Sequence, residues 1–294
     1  MPKSRRGIAE KLIEAIIYIS GAASIAVVAL IFLFLLKDGL PLFKTFSPIK
    51  FLTGSDWYPL SNVFEILPLI VASILVTIGA VAIGIPLGVA CAVYIAEVAS
   101  PRVREILKPM VEILAGIPSV VIGFIGLVVL SPFIQKVFDL PTGMTALAGA
   151  IMLAFMAMPT IISISEDALV AVPKSYREAS LALGASHWQT IRGVIVPAAR
   201  SGILAAAMLG VGRAVGETMT VLMVTGNAAI LPAMKNWFFL QPIRTMTATI
   251  AMEMGETVQG SPHYFALFAV GVTLFMMTFI VNLIADLALQ RQRR

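Results

Sequence analysis

Arg213 and Glu217 stand where charge is most costly in this chain. They lie four apart in the run Gly210-Val211-Gly212-Arg213-Ala214-Val215-Gly216-Glu217-Thr218-Met219-Thr220, inside a largely apolar stretch. On a continuous helix that spacing puts both side chains on one face. Ionisable groups within a membrane span usually face a bundle interior or a wet path. The guanidinium of Arg213 offers a planar fork of donors that suits a tetrahedral oxyanion and stays charged. Glu217 would hold Arg213 ready and yield it when an anion arrives, and Thr218 continues the same path. A structural ion pair locking helices together uses the same spacing, and the residues alone leave both readings open. Gly212 and Gly216 keep one side of the helix small for close packing.

Other reactive chemistry is sparse. Cys91 is the one cysteine, which excludes an intrachain disulfide and a cysteine metal cluster. His187 and His263 are far apart and lack ligand spacing. No catalytic group, metal site or cofactor is expected in this chain. It also lacks the G-x-x-x-x-G-K-[ST] loop that cradles nucleotide phosphates.

Composition dictates the elements that must position these residues. The 294 residues are 59% hydrophobic and 13% charged, with mean hydropathy +0.96. Soluble domains carry about 45–50% apolar and about 25% charged residues. So few charges cannot cover a water-facing surface, which excludes soluble globular, disordered and collagen-like classes. The expectation is an all-α polytopic membrane protein with six spans, near 15–36, 66–95, 113–130, 145–164, 203–224 and 265–287, each near the roughly 20 residues a bilayer core requires. The first, preceded by Lys3, Arg5, Arg6 and Lys11, reads as a retained span, because no small-residue cleavage site follows it. Two regions are expected: 1–63, with the tail, first span and outer loop, and 64–290, with the other five spans.

The distribution of Lys and Arg sets the expected orientation. With the N-terminus inside, fourteen of the 21 basic residues fall on inside segments, six fall outside, and Arg213 lies within a span. Such asymmetry favours both termini in the cytoplasm. The net charge of +5 is thus accounted for by inner loops, and no nucleic-acid partner is expected. Two outer segments are long. Residues 37–64, with Trp57 and Pro59, suit the membrane interface. Residues 225–263, with Trp237, Phe238 and Phe239, contain an apolar stretch at 245–254 that is too short to span, so a re-entrant or interfacial helix is expected there, with a surface loop as the plainer reading. No internal repeat is evident.

The inside segment 172–197 carries the longest pattern. It reads as two short amphipathic helices, the first beginning at Pro173 and ending at Gly184, the second stopped by Pro197. Such a unit is a shape that a partner can grip, although a plain connecting loop fits as well. The pattern resembles the EAA loop of ABC importer permeases: E-A-A, three residues, G, nine residues, then I-x-L-P. Glu178, Ala179, Gly184 and Pro197 match, Val194 and Val196 occupy the aliphatic places, and Ser180 replaces the second Ala. The resemblance implies that this loop docks into a cytoplasmic ATPase subunit.

Further stretches resemble the phosphate-specific members of that family. They are Arg213 to Thr218 with Met219, then Gly226-Asn227, and Ala115 to Gly123, where Ile122 replaces the usual Tyr of "GIPSVVYG". Ile85-Pro86-Leu87-Gly88, Met158-Pro159 and Tyr94-Ile95-Ala96-Glu97 also fit, although Tyr94 and Glu97 read more simply as ordinary interfacial residues. The resemblance covers about 60–290, and the Glu-Thr-Met run and the long loop before the second span look more like the C-type of the two paired permeases. It implies the type I ABC importer permease fold and a bacterial inner-membrane location. It also implies a paired A-type permease, two ATPase subunits that hold ATP and Mg, an external phosphate-binding protein, and inorganic phosphate as cargo. Permeases for sulfate or molybdate share the loop. An ion-driven secondary carrier using Glu217 as a proton site would not need the loop, and a plain membrane anchor would not need charges in mid-span.

Overall fold

The computed structural model describes residues 8–233 and 238–293. Lys3, Arg5, Arg6, Lys235, Trp237 and Arg294 lie outside the described residues. The chain begins with α1 (Ile8–Gly39), an apolar helix, followed by the short α2 (Pro48–Thr53). Strands β1 (Trp57–Tyr58) and β2 (Val63–Phe64) pair antiparallel, Trp57 opposite Phe64, a small ladder that an all-α expectation did not include. Helix α3 (Leu67–Val93) follows, with Pro68 in its first turn, where a missing N–H is harmless, and ends in a π-helical turn at Tyr94–Val98.

Next come α4 (Pro101–Ala115), α5 (Ser119–Ile125) and α6 (Ser131–Val137). The third span was expected at 113–130 and is found at Ser119–Val137. Pro118 disfavours helical backbone at Ile117, so the helix breaks at 116–118. The charged α4 is left as a separate amphipathic helix that climbs along α7 (Ala146–Val170), itself N-capped by the Thr145 hydroxyl.

The 172–197 segment folds as expected into two short helices. Helix α8 (Lys174–Ala182) ends before Gly184, whose φ of +83° is the left-handed conformation that terminates a helix. Helix α9 (His187–Thr190) starts with a reciprocal capping box between Ser186 and Gln189. Pro197 does not stop the second helix. A π-helical turn at Ile191–Ile195 leads into α10 (Val196–Ala198), and the chain bends by 68° into α11 (Arg200–Gly216). The fifth span, expected as one helix over 203–224, is broken once within those bounds, because α12 (Met219–Val224) is separate from α11. Helix α13 (Met246–Glu253) matches the short helix expected in the outer segment, and α14 (Pro262–Arg293) closes the chain. Five described helices are long and apolar enough to cross a membrane, or six if the bent pair counts as one.

Helices α3, α7 and α11 form the centre, α12 packs on α5, and α1 leans against α14. One contact explains the close central packing. Ile161 of α7 is 1% exposed. A Cβ at Gly88 of α3 would lie 2.8 Å from it, and one at Gly210 of α11 would lie 2.6 Å away. Two glycine notches on different helices thus clasp one side chain, the small-residue approach that membrane bundles favour.

Candidate functional site

Helix α11 carries Arg213 into the centre of the bundle. Its Nη1 donates to Thr160 Oγ1 of α7 at 3.2 Å. The expected pairing with Glu217 does not form, because the helix stops at Gly216 and Glu217 is extended, with φ −70° and ψ 133°. The Glu217 carboxylate instead turns to the next helix and accepts from the backbone N–H of Thr220 at 3.1 Å, at the first turn of α12. A carboxylate there satisfies an orphan donor and complements the helix dipole. Among the described residues Arg213 has no carboxylate partner, so its charge is left for another counter-ion. Thr218 lies in the break itself, its hydroxyl donating to the carbonyl of Gly216 at 3.4 Å.

The break is held from several sides. Thr247 of α13 donates to the carbonyl of Glu217 at 3.0 Å, and Thr220 donates to the carbonyl of Ser119 at 3.0 Å. A cavity of about 10 Å³ edged by Ser73, Thr77, Thr245 and Thr247 adjoins Glu217, space for about one water. Val211 and Val215 of α11 line an apolar groove of about 500 Å³ with α3 and α14. The turn after α12 explains Gly226-Asn227: both take positive φ, a Cβ at Gly226 would meet the Met144 carbonyl at 2.8 Å, and the Asn227 amide returns to the Leu222 carbonyl at 2.7 Å.

The second candidate region is the 172–197 unit. Glu178, Ala179 and Gly184 are exposed, as are Tyr176 and Leu183. Pro197 is also exposed, at the entry to the bend. Ser180 bonds Thr190 across the two helices at 2.9 Å, so the unit is braced internally while its outer face stays open.

Several buried or half-buried carboxylates were not identified from sequence, Glu65, Glu97, Glu166 and Glu253 among them. Glu97, read as an interfacial residue, is 4% exposed and ion-paired with Arg177 of α8. Glu166 of α7 is 2% exposed and is met by Arg104 and by Lys108 of α4, the latter at 2.7 Å. Hydrogen bonds to Glu166 and then Asp167 raise the Lys108 pKa above its ordinary value. Glu253 of α13 accepts from Trp57 Nε1 at 3.1 Å and from Arg244 at 2.7 Å, and meets His263 at 2.8 Å. That cluster joins the 37–64 and 225–263 segments. Each carboxylate finds its partners 9 to 196 residues away, mostly beyond the reach of helical spacing, and the only local sign was an acid within or beside an apolar run.

Residues 84–294 match the family model described as binding-protein-dependent transport system inner membrane component. The chain is 43% identical over 277 residues to the probable ABC transporter permease protein YqgH of Bacillus subtilis (strain 168), covering 93% of this chain and 87% of that one. It is 34% identical over 261 residues to the phosphate transport system permease protein PstC of Mesorhizobium japonicum, covering 82% and 78% respectively. Among solved structures, it is similar to a bacterial ABC transporter involved in the import of the acidic polysaccharide alginate, with TM-score 0.60 at 15% identity over 96% of this chain and 99% of that one. It is also similar to an inward-facing MetNI methionine ABC transporter, with TM-score 0.54 at 21% identity over 77% and 93%. At such identities these two structures speak for the fold alone, which is that of type I ABC importer permeases.

Proposed function

The chain belongs to the binding-protein-dependent transport system inner membrane component family, and from that membership we propose that it is the permease subunit of an ATP-driven importer that moves inorganic phosphate into the cytoplasm. The observation that carries this reading is Arg213, a permanent cation on a central helix whose expected carboxylate partner has turned away to cap α12. Relatives that carry the name phosphate transport system permease support the choice of phosphate over other oxyanions.

Each residue then has a role. Arg213 presents fork donors to the anion, with Thr160 setting its direction. Thr218, in the unwound link, offers a hydroxyl on the same path. Glu217 fixes the start of α12, so that a movement of α12 is transmitted to the residues beside Arg213. Glu178, Ala179 and Gly184 form the face that docks on an ATPase subunit, and the bend after Pro197 joins that face to α11. The family implies ATPase and external binding-protein partners. In the finer reading, a paired A-type permease completes the pathway, two ATPase subunits hold ATP and Mg, and both termini lie in the cytoplasm.

Uptake of labelled phosphate by cells that express the chain with its partners tests this. Uptake that is abolished by Arg213→Gln and not competed by excess sulfate is expected. Competition by sulfate at equal concentration would reassign the cargo, and uptake that persists without an ATPase subunit would overturn the reading.

A further inference from the structure

The ion pair between the turn that ends α3 and α8 joins the 172–197 unit to the rest of the bundle. Glu97 sits in the π-helical turn Tyr94–Val98 at the end of α3, and such turns re-aim a side chain by inserting one residue into the helix. Its carboxylate accepts from Arg177 Nε at 3.1 Å and from Arg177 Nη2, a bidentate arrangement. The same guanidinium donates to the carbonyls of Val172 and Leu169, each at 3.3 Å, at the end of α7 and just past it. One side chain on α8 therefore holds three segments together. Glu97 hydrogen-bonds Arg177 first and foremost, which with their mutual attraction holds the Arg177 pKa above its ordinary value despite burial.

Arg177 precedes Glu178, and the two point about 100° apart around α8. Arg177 is 25% exposed and turned into the bundle, whereas Glu178 is exposed on the docking side. Separating a buried carboxylate from its charged partner is strongly unfavourable. A displacement of α8 consequently carries the ends of α3 and α7 with it. A fork bound on both edges also resists rotation in a way that a single contact does not.

We propose that Glu97 and Arg177 are positioning residues for transport, the link through which a push on α8 reaches α3 and α7 as one rigid movement. This rests on the importer reading above. A plain structural brace would require only that the pair exist. A transmitting link requires that its geometry matter once the complex is assembled.

The test compares the wild-type complex with Glu97→Gln, Arg177→Lys and the exchange Glu97→Arg with Arg177→Glu. Co-purification reports assembly with the ATPase subunits, and ATP hydrolysis is measured with and without phosphate-loaded binding protein. Both single variants are expected to assemble while the stimulation of hydrolysis falls by about tenfold, the scale of a typical coupling between sites. The exchange should regain part of it. Unchanged stimulation in the single variants overturns the proposal. So does loss of assembly that the exchange does not repair, because the pair is then only a brace. A spin-label distance between cysteines placed at Ser100 and Ser175, in a Cys91→Ser background, needs only ATP. It should stay fixed on ATP addition with the pair intact and broaden in Glu97→Gln. A distance that changes equally in both contradicts the link even if the cargo is not phosphate, whereas absent stimulation in the wild type itself counts against the cargo reading alone.

Discussion

In the proposed path Arg213 would serve as a charge that has no carboxylate partner among the described residues. A guanidinium held by Glu217 would have to break an ion pair for every anion bound. Held by Thr160 alone among the described residues, it keeps its fork available. Arg213→Gln keeps a polar side chain but removes the charge, so phosphate uptake is expected to vanish while the complex still co-purifies; near-normal uptake would remove Arg213 from the path. Glu217→Ala deletes the carboxylate at the start of α12 and is expected to lower stability by about 1 kcal/mol, the usual loss for a helix cap, read as a lower unfolding temperature in detergent. Lys108 makes a pH prediction. Its pKa is raised through Glu166, so its contribution is fully present below the ordinary lysine pKa and is lost only as pH rises through the raised value. The stability difference between wild type and Lys108→Gln should therefore hold steady from neutral to mildly alkaline pH and close in stronger alkali. At this scale the sequence shows Arg213 and Glu217 readily, since charges stand out in an apolar run. It does not show their separation, which depends on a helix stopping at Gly216, nor the roles of Glu97 and Glu166, whose partners lie 80 and 58 to 62 residues away.

At the scale of elements, the centre depends on α3, α7 and α11 meeting closely around Ile161. Gly210→Leu would drive a side chain into Ile161, because even a Cβ there lies 2.6 Å from it. The expected result is a folding defect, seen as reduced membrane yield and a lowered unfolding temperature, whereas Gly84→Ala, whose Cβ would sit 3.4 Å from Ala154, should behave as wild type. Equal behaviour of the two variants would contradict the clasp. On the proposed docking unit, Gly184→Asp places a Cβ at φ +83°, where open space surrounds it, so the penalty is backbone strain at the turn rather than a clash. Stimulated ATP hydrolysis should fall in that variant while yield is maintained. Helix types and the 172–197 unit were legible because local periodicity and turn residues determine them. The third and fifth spans were displaced or broken because hydropathy continues smoothly through 113–130 and 203–224, while the backbone responds to Pro118 and to a carboxylate that prefers the α12 N–H. The two-strand ladder of 57–64 gave no signal, since two residues per strand are too few for alternation to be visible.

Over the whole molecule, charge is scarce and each described buried acid is placed at one end of the bundle or the other. Glu97 and Glu166 gather the basic residues of α8 and α4 around the end that bears the docking unit. Glu253 ties the 37–64 and 225–263 segments together at the opposite end. Between them Arg213, well inside α11, has no carboxylate partner among the described residues. This division suits a protein pushed at one end, loaded at the other, and asked to pass an anion between. The fold class followed from composition and run length, and the cargo from residue patterns and resemblance; the linkage between the ends required the structure, because it is made of contacts between distant parts of the chain. In the proposed mechanism, ATP hydrolysis by partner subunits drives phosphate through this chain by way of Arg213. The most direct measurement is labelled phosphate accumulation in proteoliposomes that contain the assembled complex, loaded with ATP and supplied with binding protein outside. Accumulation that requires ATP and disappears with Arg213→Gln is the predicted result. Equal accumulation without ATP, or with the Arg213→Gln complex, would contradict it.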